Sequence, residues 1–155
     1  MGGAHLGCLA RSACLCALVC RILEGSVMYS PRLLDHFQNP RHAGLVAAPD
    51  AQVRVENPVC GDILELSARL SEGRIAEIGF QVRGCTASIA CGSATATLLK
   101  GLHVHEIAGV DKEEIEAEVG GLETASKHAA RLCADGVKAL GAALAAAAPA
   151  TGPAA

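Results

Sequence analysis

The chain has 155 residues, a formal net charge of −3 and 51% hydrophobic residues, yet only 2% aromatics and no Trp. One domain of this length buries roughly two-thirds of its unfolded surface, so it needs no disulfide staples. No basic footprint is present for DNA or RNA, and few rings are available to stack bases, so composition excludes a nucleic-acid binder. The core has to be built from Ala, Val, Leu and Ile. The eight cysteines are the feature left to explain.

Cys8, Cys14, Cys16 and Cys20 crowd the start of the chain. The apolar run Ala13 to Cys20 is too short to span a bilayer, Arg21 closes it, and no small-x-small cleavage site follows. Glu24-Gly25 is necessarily encoded by a purine run, a few bases upstream of the Met28 codon, where a bacterial ribosome-binding site would sit. Residues 1–27 are therefore expected to be a translated leader and Met28 the natural start. The domain is expected over 28–146, with residues 147–155 a frayed Ala/Pro/Gly tail.

From Met28 the elements follow in order. Ser30 caps and Pro31 opens a short helix carrying Leu33, Leu34 and Phe37, which stops near Asn39-Pro40. Residues 41–50 read as loop. Gln52–Glu56 alternates as a strand, and Asn57-Pro58 leads into a loop holding Cys60-Gly61-Asp62. Ile63–Leu70 and Arg74–Arg83 form two further strands around a Ser71-Glu72-Gly73 turn. Leu64, Leu66, Ala68 and Leu70, with Ala76, Ile78, Phe80 and Val82, are expected on the buried face. A helix rich in small residues runs from Thr86 to about Lys100. His103–Ile107 and Asp111–Val119 read as short helices, and a last helix is expected from a Thr124 cap to about Ala147. The fold class is α+β: a small three-stranded antiparallel sheet covered by helices.

Four residues stand out chemically. Cys60 and Asp62 share a Gly- and Pro-bounded loop. Cys85 lies at a strand-to-helix turn, where free N–H groups and the helix dipole favour thiolate. His128 lies near the start of the last helix. Sulfur, oxygen and nitrogen donors together suit zinc or iron. The spacing matches no zinc-finger pattern, so it does not by itself choose among metals.

The words YSPRLLDHFQNPRHAG, ENPVCGD, FQVRGCTASIACGSAT and KHAARLCADGVKAL occur in that order. Together they resemble the IscU/NifU-type iron–sulfur cluster scaffold family, from about Met28 to Leu140. The resemblance implies a carrier without turnover. It would take sulfur from a cysteine desulfurase, bind iron, assemble a [2Fe–2S] cluster and pass it to apo-proteins, with zinc an alternative occupant of the same ligands. It points to Cys60, Asp62, Cys85 and His128 as metal ligands, in a cytoplasmic bacterial protein without membrane attachment. A labile cluster could also bridge two copies as a homodimer.

The chain departs from the family pattern in two places. The family's third cysteine follows the His; here that position is Ala129, and a methyl ligates nothing. Cys91 and Cys133 are the candidates for an additional thiol ligand or sulfur relay. The Leu-Pro-Pro-Val-Lys word of chaperone-served scaffolds is replaced by Leu122-Glu123-Thr124-Ala125-Ser126, which predicts no docking of that kind. The interval from Cys85 to His128 has no room for the insertion of the SufU branch. The readings this leaves are a divergent scaffold, a zinc-dependent sulfur acceptor that activates the desulfurase, and a non-assembling regulator that binds metal.

Overall fold

A computed structural model describes residues 29–147. The expected leader, residues 1–27, and residues 148–155 of the expected tail lie outside the described residues. The elements are α1 (Pro31–Gln38), β1 (Ala51–Glu56), β2 (Ile63–Ser71), β3 (Arg74–Arg83), α2 (Thr86–Leu99), a 3-10 helix (Val104–Gly109), α3 (Lys112–Glu118), a 3-10 turn (Thr124–Ser126) and α4 (Lys127–Ala147).

The three strands form one antiparallel sheet in the order β1-β2-β3. Register places Val53 opposite Leu66 and Val55 opposite Leu64, and then Leu66 opposite Phe80 and Leu64 opposite Val82. Directly paired residues share a face, so these side chains make one apolar surface. Helix α4 lies over β1 and β2, and α2 lies over β3. Leu64, Leu66, Leu99, Leu140 and Leu144 are fully buried between these layers. Each such leucine contributes about 1.5–3 kcal/mol of transfer free energy.

Small residues let the layers approach. A β-carbon on Gly92 of α2 would lie 2.7 Å from Phe80 Cδ2, and one on Gly136 of α4 would lie 2.8 Å from Leu64 Cδ2. Glycine at these two helix positions brings helix backbone down onto the sheet, which offsets the scarcity of large rings in the core.

Helix α1 begins as the sequence predicts: the Ser30 hydroxyl accepts the Leu33 amide at 3.0 Å, with Pro31 in the first turn. The Asp35 to Gly44 segment then locks α1 to α2. His36 Nδ1 is 2.9 Å from Ser93 Oγ, the Arg41 amide donates to the same oxygen at 2.8 Å, and Arg41 pairs with Asp35 at 2.5 Å. In this segment His36 is the buried anchor between two helices, while Asp35 and Arg41 pair at the surface.

Four local expectations need correction. β1 starts one residue earlier, at Ala51, which is buried opposite Ala68. Ala76 was expected on the buried face, but the register shifts between Arg69 and Leu70, so Ile75 takes the core position and Ala76 is half-buried. A bulge moves one residue out of the two-residue alternation. The segment expected as a helix over His103–Ile107 is 3-10, over Val104–Gly109, held by the Glu106 carboxylate accepting the His103 amide at 2.8 Å. Thr124 opens a 3-10 turn rather than capping the last α-helix, which begins at Lys127 and so puts His128 in its first turn.

Candidate metal centre

The centre forms where the β1–β2 loop meets the β3–α2 turn. Asn57 organises the loop. Its amide donates to the Asp62 carbonyl at 2.9 Å, its carbonyl accepts the Gly61 amide at 2.8 Å, and its Oδ1 accepts the Val59 amide at 2.9 Å. Gly61 has φ +74°, a left-handed conformation that glycine adopts without steric cost. The tight loop leaves Cys60 exposed while turning Asp62 inward to 8% exposure.

Cys85 occupies the N-cap position of α2, but its side chain makes no capping bond. Its exposed Sγ lies 3.3 Å from Ser88 Oγ and 3.8 Å from His128 Nε2. On the first turn of α4, His128 Nδ1 is 2.9 Å from the Ala125 carbonyl oxygen. A carbonyl only accepts, so Nδ1 carries the ring proton and the Nε2 lone pair faces the centre. Metal-ligating imidazoles are commonly oriented this way.

Ligand atoms of Cys60, Asp62 and His128 lie within 4.8 Å of one another. His128 Nε2 is 3.6 Å from Asp62 Oδ2, and Cys85 adjoins the group through His128. The four residues expected from the sequence therefore converge from two loops and one helix. Two thiols, a carboxylate and an imidazole make a donor set for zinc or for a sulfur-bridged iron pair. Gly84 supports the arrangement, because a β-carbon there would lie 2.7 Å from Asp62 Cγ.

Cys91 and Cys133 are not brought into this group. Both are fully buried. Desolvation pushes the Cys133 thiol up to about 12, against a smaller opposing effect of its hydrogen bond with Thr95. Burial, and then the neighbouring Cys133, push the Cys91 thiol higher still. As arranged here, both are neutral core thiols, whereas metal ligation and nucleophilic attack use thiolate. Ala129 is likewise buried, beside His128, and supplies no ligand atom. The residue that sequence reasoning missed is Ser88, whose hydroxyl donates to Asp62 Oδ2. Its only signal was a hydroxyl placed three residues after Cys85.

The family model described as the NifU-like N-terminal domain matches residues 28–147. The chain belongs to this family. It is 36% identical over 111 residues to the iron–sulfur cluster assembly scaffold protein IscU 1 of Archaeoglobus fulgidus, covering 72% of each chain. It is 32% identical over 115 residues to the scaffold protein IscU of Azotobacter vinelandii, covering 72% of this chain and 89% of that one. Solved structures agree on the fold. A scaffold protein of Fervidobacterium islandicum, described as a putative one for the SUF system, superposes with a TM-score of 0.59 at 15% identity, covering 74% of this chain and 96% of that one. The N-terminal NifU-like protein of Brucella abortus gives 0.51 at 22% identity, covering 76% and 84%. The family resemblance and the α+β class read from the sequence both hold. Among the described residues, no helix is long and apolar enough to cross a membrane.

Proposed function

We propose that the chain is an iron–sulfur cluster assembly scaffold that holds iron and a transient [2Fe–2S] cluster as cargo and passes it to apo-proteins. The observation that carries this reading is the convergence of Cys60, Asp62, Cys85 and His128, with both thiols exposed. Exposure lets a sulfur donor and a cluster acceptor reach the ligands. Carboxylate and imidazole in place of further thiolates bind iron less tightly than sulfur does, which favours release. Sulfur would come from a cysteine desulfurase in the cytoplasm, and the chain would act as a carrier rather than a catalyst.

The test is anaerobic reconstitution of the protein with iron, cysteine and a desulfurase, read by iron content and visible absorption. A [2Fe–2S] spectrum that disappears in Cys60→Ser and Cys85→Ser, and moves to an apo-ferredoxin, is the expected result. Absence of any cluster overturns it.

Ala129 favours a second reading, because a two-thiol set with one oxygen and one nitrogen donor is also a zinc site. The chain would then be a zinc-dependent sulfur acceptor. A thiolate released from zinc would attack the outer sulfur of the desulfurase persulfide. The S–S bond would break, the desulfurase would leave as thiolate, and the persulfide would form on this chain. Stoichiometric zinc with stimulated desulfurase turnover and no cluster would select it.

A further inference from the structure

We propose that Ser88 is a positioning residue that aims the Asp62 carboxylate into the metal centre, an inference that rests on the metal-site reading above. Ser88 is fully buried in the first turn of α2. Its hydroxyl donates to Asp62 Oδ2, the same oxygen that lies 3.6 Å from His128 Nε2. The hydroxyl has one proton and gives it to the carboxylate, and Cys85 Sγ lies 3.3 Å from the same hydroxyl oxygen.

Three constraints act on one carboxylate. The Asp62 main chain is tied to Asn57 by an amide-to-carbonyl bond of 2.9 Å. Gly84 lies against its back, where a β-carbon would stand 2.8 Å from Oδ2. Ser88 fixes the remaining freedom, rotation of the carboxyl group. The first two constraints set where the carboxylate is, and Ser88 gives the hydrogen bond that sets which way its oxygens face, with His128 Nε2 3.6 Å from the bonded oxygen. Because Ser88 belongs to a packed helix rather than to the loop, it also sets the loop ligand relative to Cys85, which caps the same helix. Outer hydrogen bonds of this type orient ligands and govern affinity.

The experiment measures zinc affinity of the full chain by competition with a chromophoric chelator, and the ligand-field spectrum of the cobalt form. Wild type should bind zinc in a manner lost in Cys60→Ser and Cys85→Ser. Ser88→Ala should weaken binding about 10–100-fold and shift the cobalt band. In an Asp62→Ala background, Ser88→Ala should cause no further change in affinity or band, because its partner is gone. Ser88→Thr and Ser88→Val form a shape-matched pair that differs in the hydroxyl. Thr should bind more tightly than Val even where Ala at 88 compromises folding.

Equal affinity and spectra for wild type and Ser88→Ala overturn the inference. So does an undiminished Ser88→Ala penalty in the Asp62→Ala background, which would mean that Ser88 acts on the fold alone. Zinc binding indifferent to Cys60→Ser and Cys85→Ser is a different failure: it removes the site reading itself, and this inference with it.

Discussion

Gly84 backs directly onto Asp62: a β-carbon at position 84 would lie 2.7 Å from Asp62 Cγ and 2.8 Å from Oδ2. The β3–α2 turn and the ligand loop therefore fit together only through a missing side chain. Gly84 has no left-handed φ, so alanine is acceptable to its backbone and the conflict falls on the carboxylate. Gly84→Ala should lower zinc affinity about tenfold or more by displacing Asp62. It should cost about 1–3 kcal/mol of stability as local overpacking. Chelator competition and urea unfolding on the same preparation separate the two effects.

His36 should make stability depend on pH. It is buried between Ser93 and Glu118, with Nε2 3.6 Å from the Glu118 carboxylate. Burial, then the Arg41 charge, hold its pKa below the ordinary 6.5, against smaller opposing effects of Glu118 and Asp35. Below about 6.5 the unfolded chain takes up a proton that the folded chain resists. Stability from this group is therefore complete above that pH and is lost as pH falls through the depressed folded value. The urea midpoint should decline between about pH 7 and pH 5, and His36→Gln should flatten the decline. Asp35, itself held below its usual range chiefly by its hydrogen bond with Arg41, acts only at lower pH.

The four described thiols should divide cleanly on alkylation. Cys60 and Cys85 are exposed, whereas Cys91 and Cys133 are buried with raised pKa values, Cys133 near 12. Brief treatment of native protein with iodoacetamide, followed by peptide mass spectrometry, should label the first pair and spare the second. Cys91→Ser and Cys133→Ser should leave zinc affinity unchanged. Loss of binding in either variant would show that a core thiol reaches the centre after all.

The helix–sheet contacts predict a packing penalty. Gly92→Ala places a methyl 2.7 Å from Phe80 Cδ2, and Gly136→Ala places one 2.8 Å from Leu64 Cδ2. Each should lower stability by about 1–3 kcal/mol. Because Gly92 faces Phe80 and Val82 while Gly136 faces their cross-strand partners Leu66 and Leu64, the double variant should depart from additivity. Chemical denaturation of the three variants checks both statements.

The strands were legible because their alternation has period two and one face is buried. Val53, Leu66 and Phe80 line up across the sheet as that pattern requires. The bulge at Ala76 was not legible, since it arises from how β2 and β3 pair and not from either strand alone. Thr124 was read as a helix cap from its residue type, yet that turn is 3-10 and α4 starts at Lys127. His36 and Ser93, 57 residues apart in sequence, form a buried bond that no local pattern announces.

The sequence alone determined the α+β class and the aromatic-poor core, and it offered Cys60, Asp62, Cys85 and His128 as candidate ligands, because periodicity and family-like words are written in residue order. The tertiary structure decided which thiols are available. Cys91 and Cys133 were candidates for an additional thiol by sequence, but packing against the core removes both from water and holds their protons on. It also supplied Ser88, whose importance is a direction: a hydroxyl on one helix turned toward a carboxylate from another loop. Burial and orientation depend on segments distant in the chain, and they exist only once those segments are packed together.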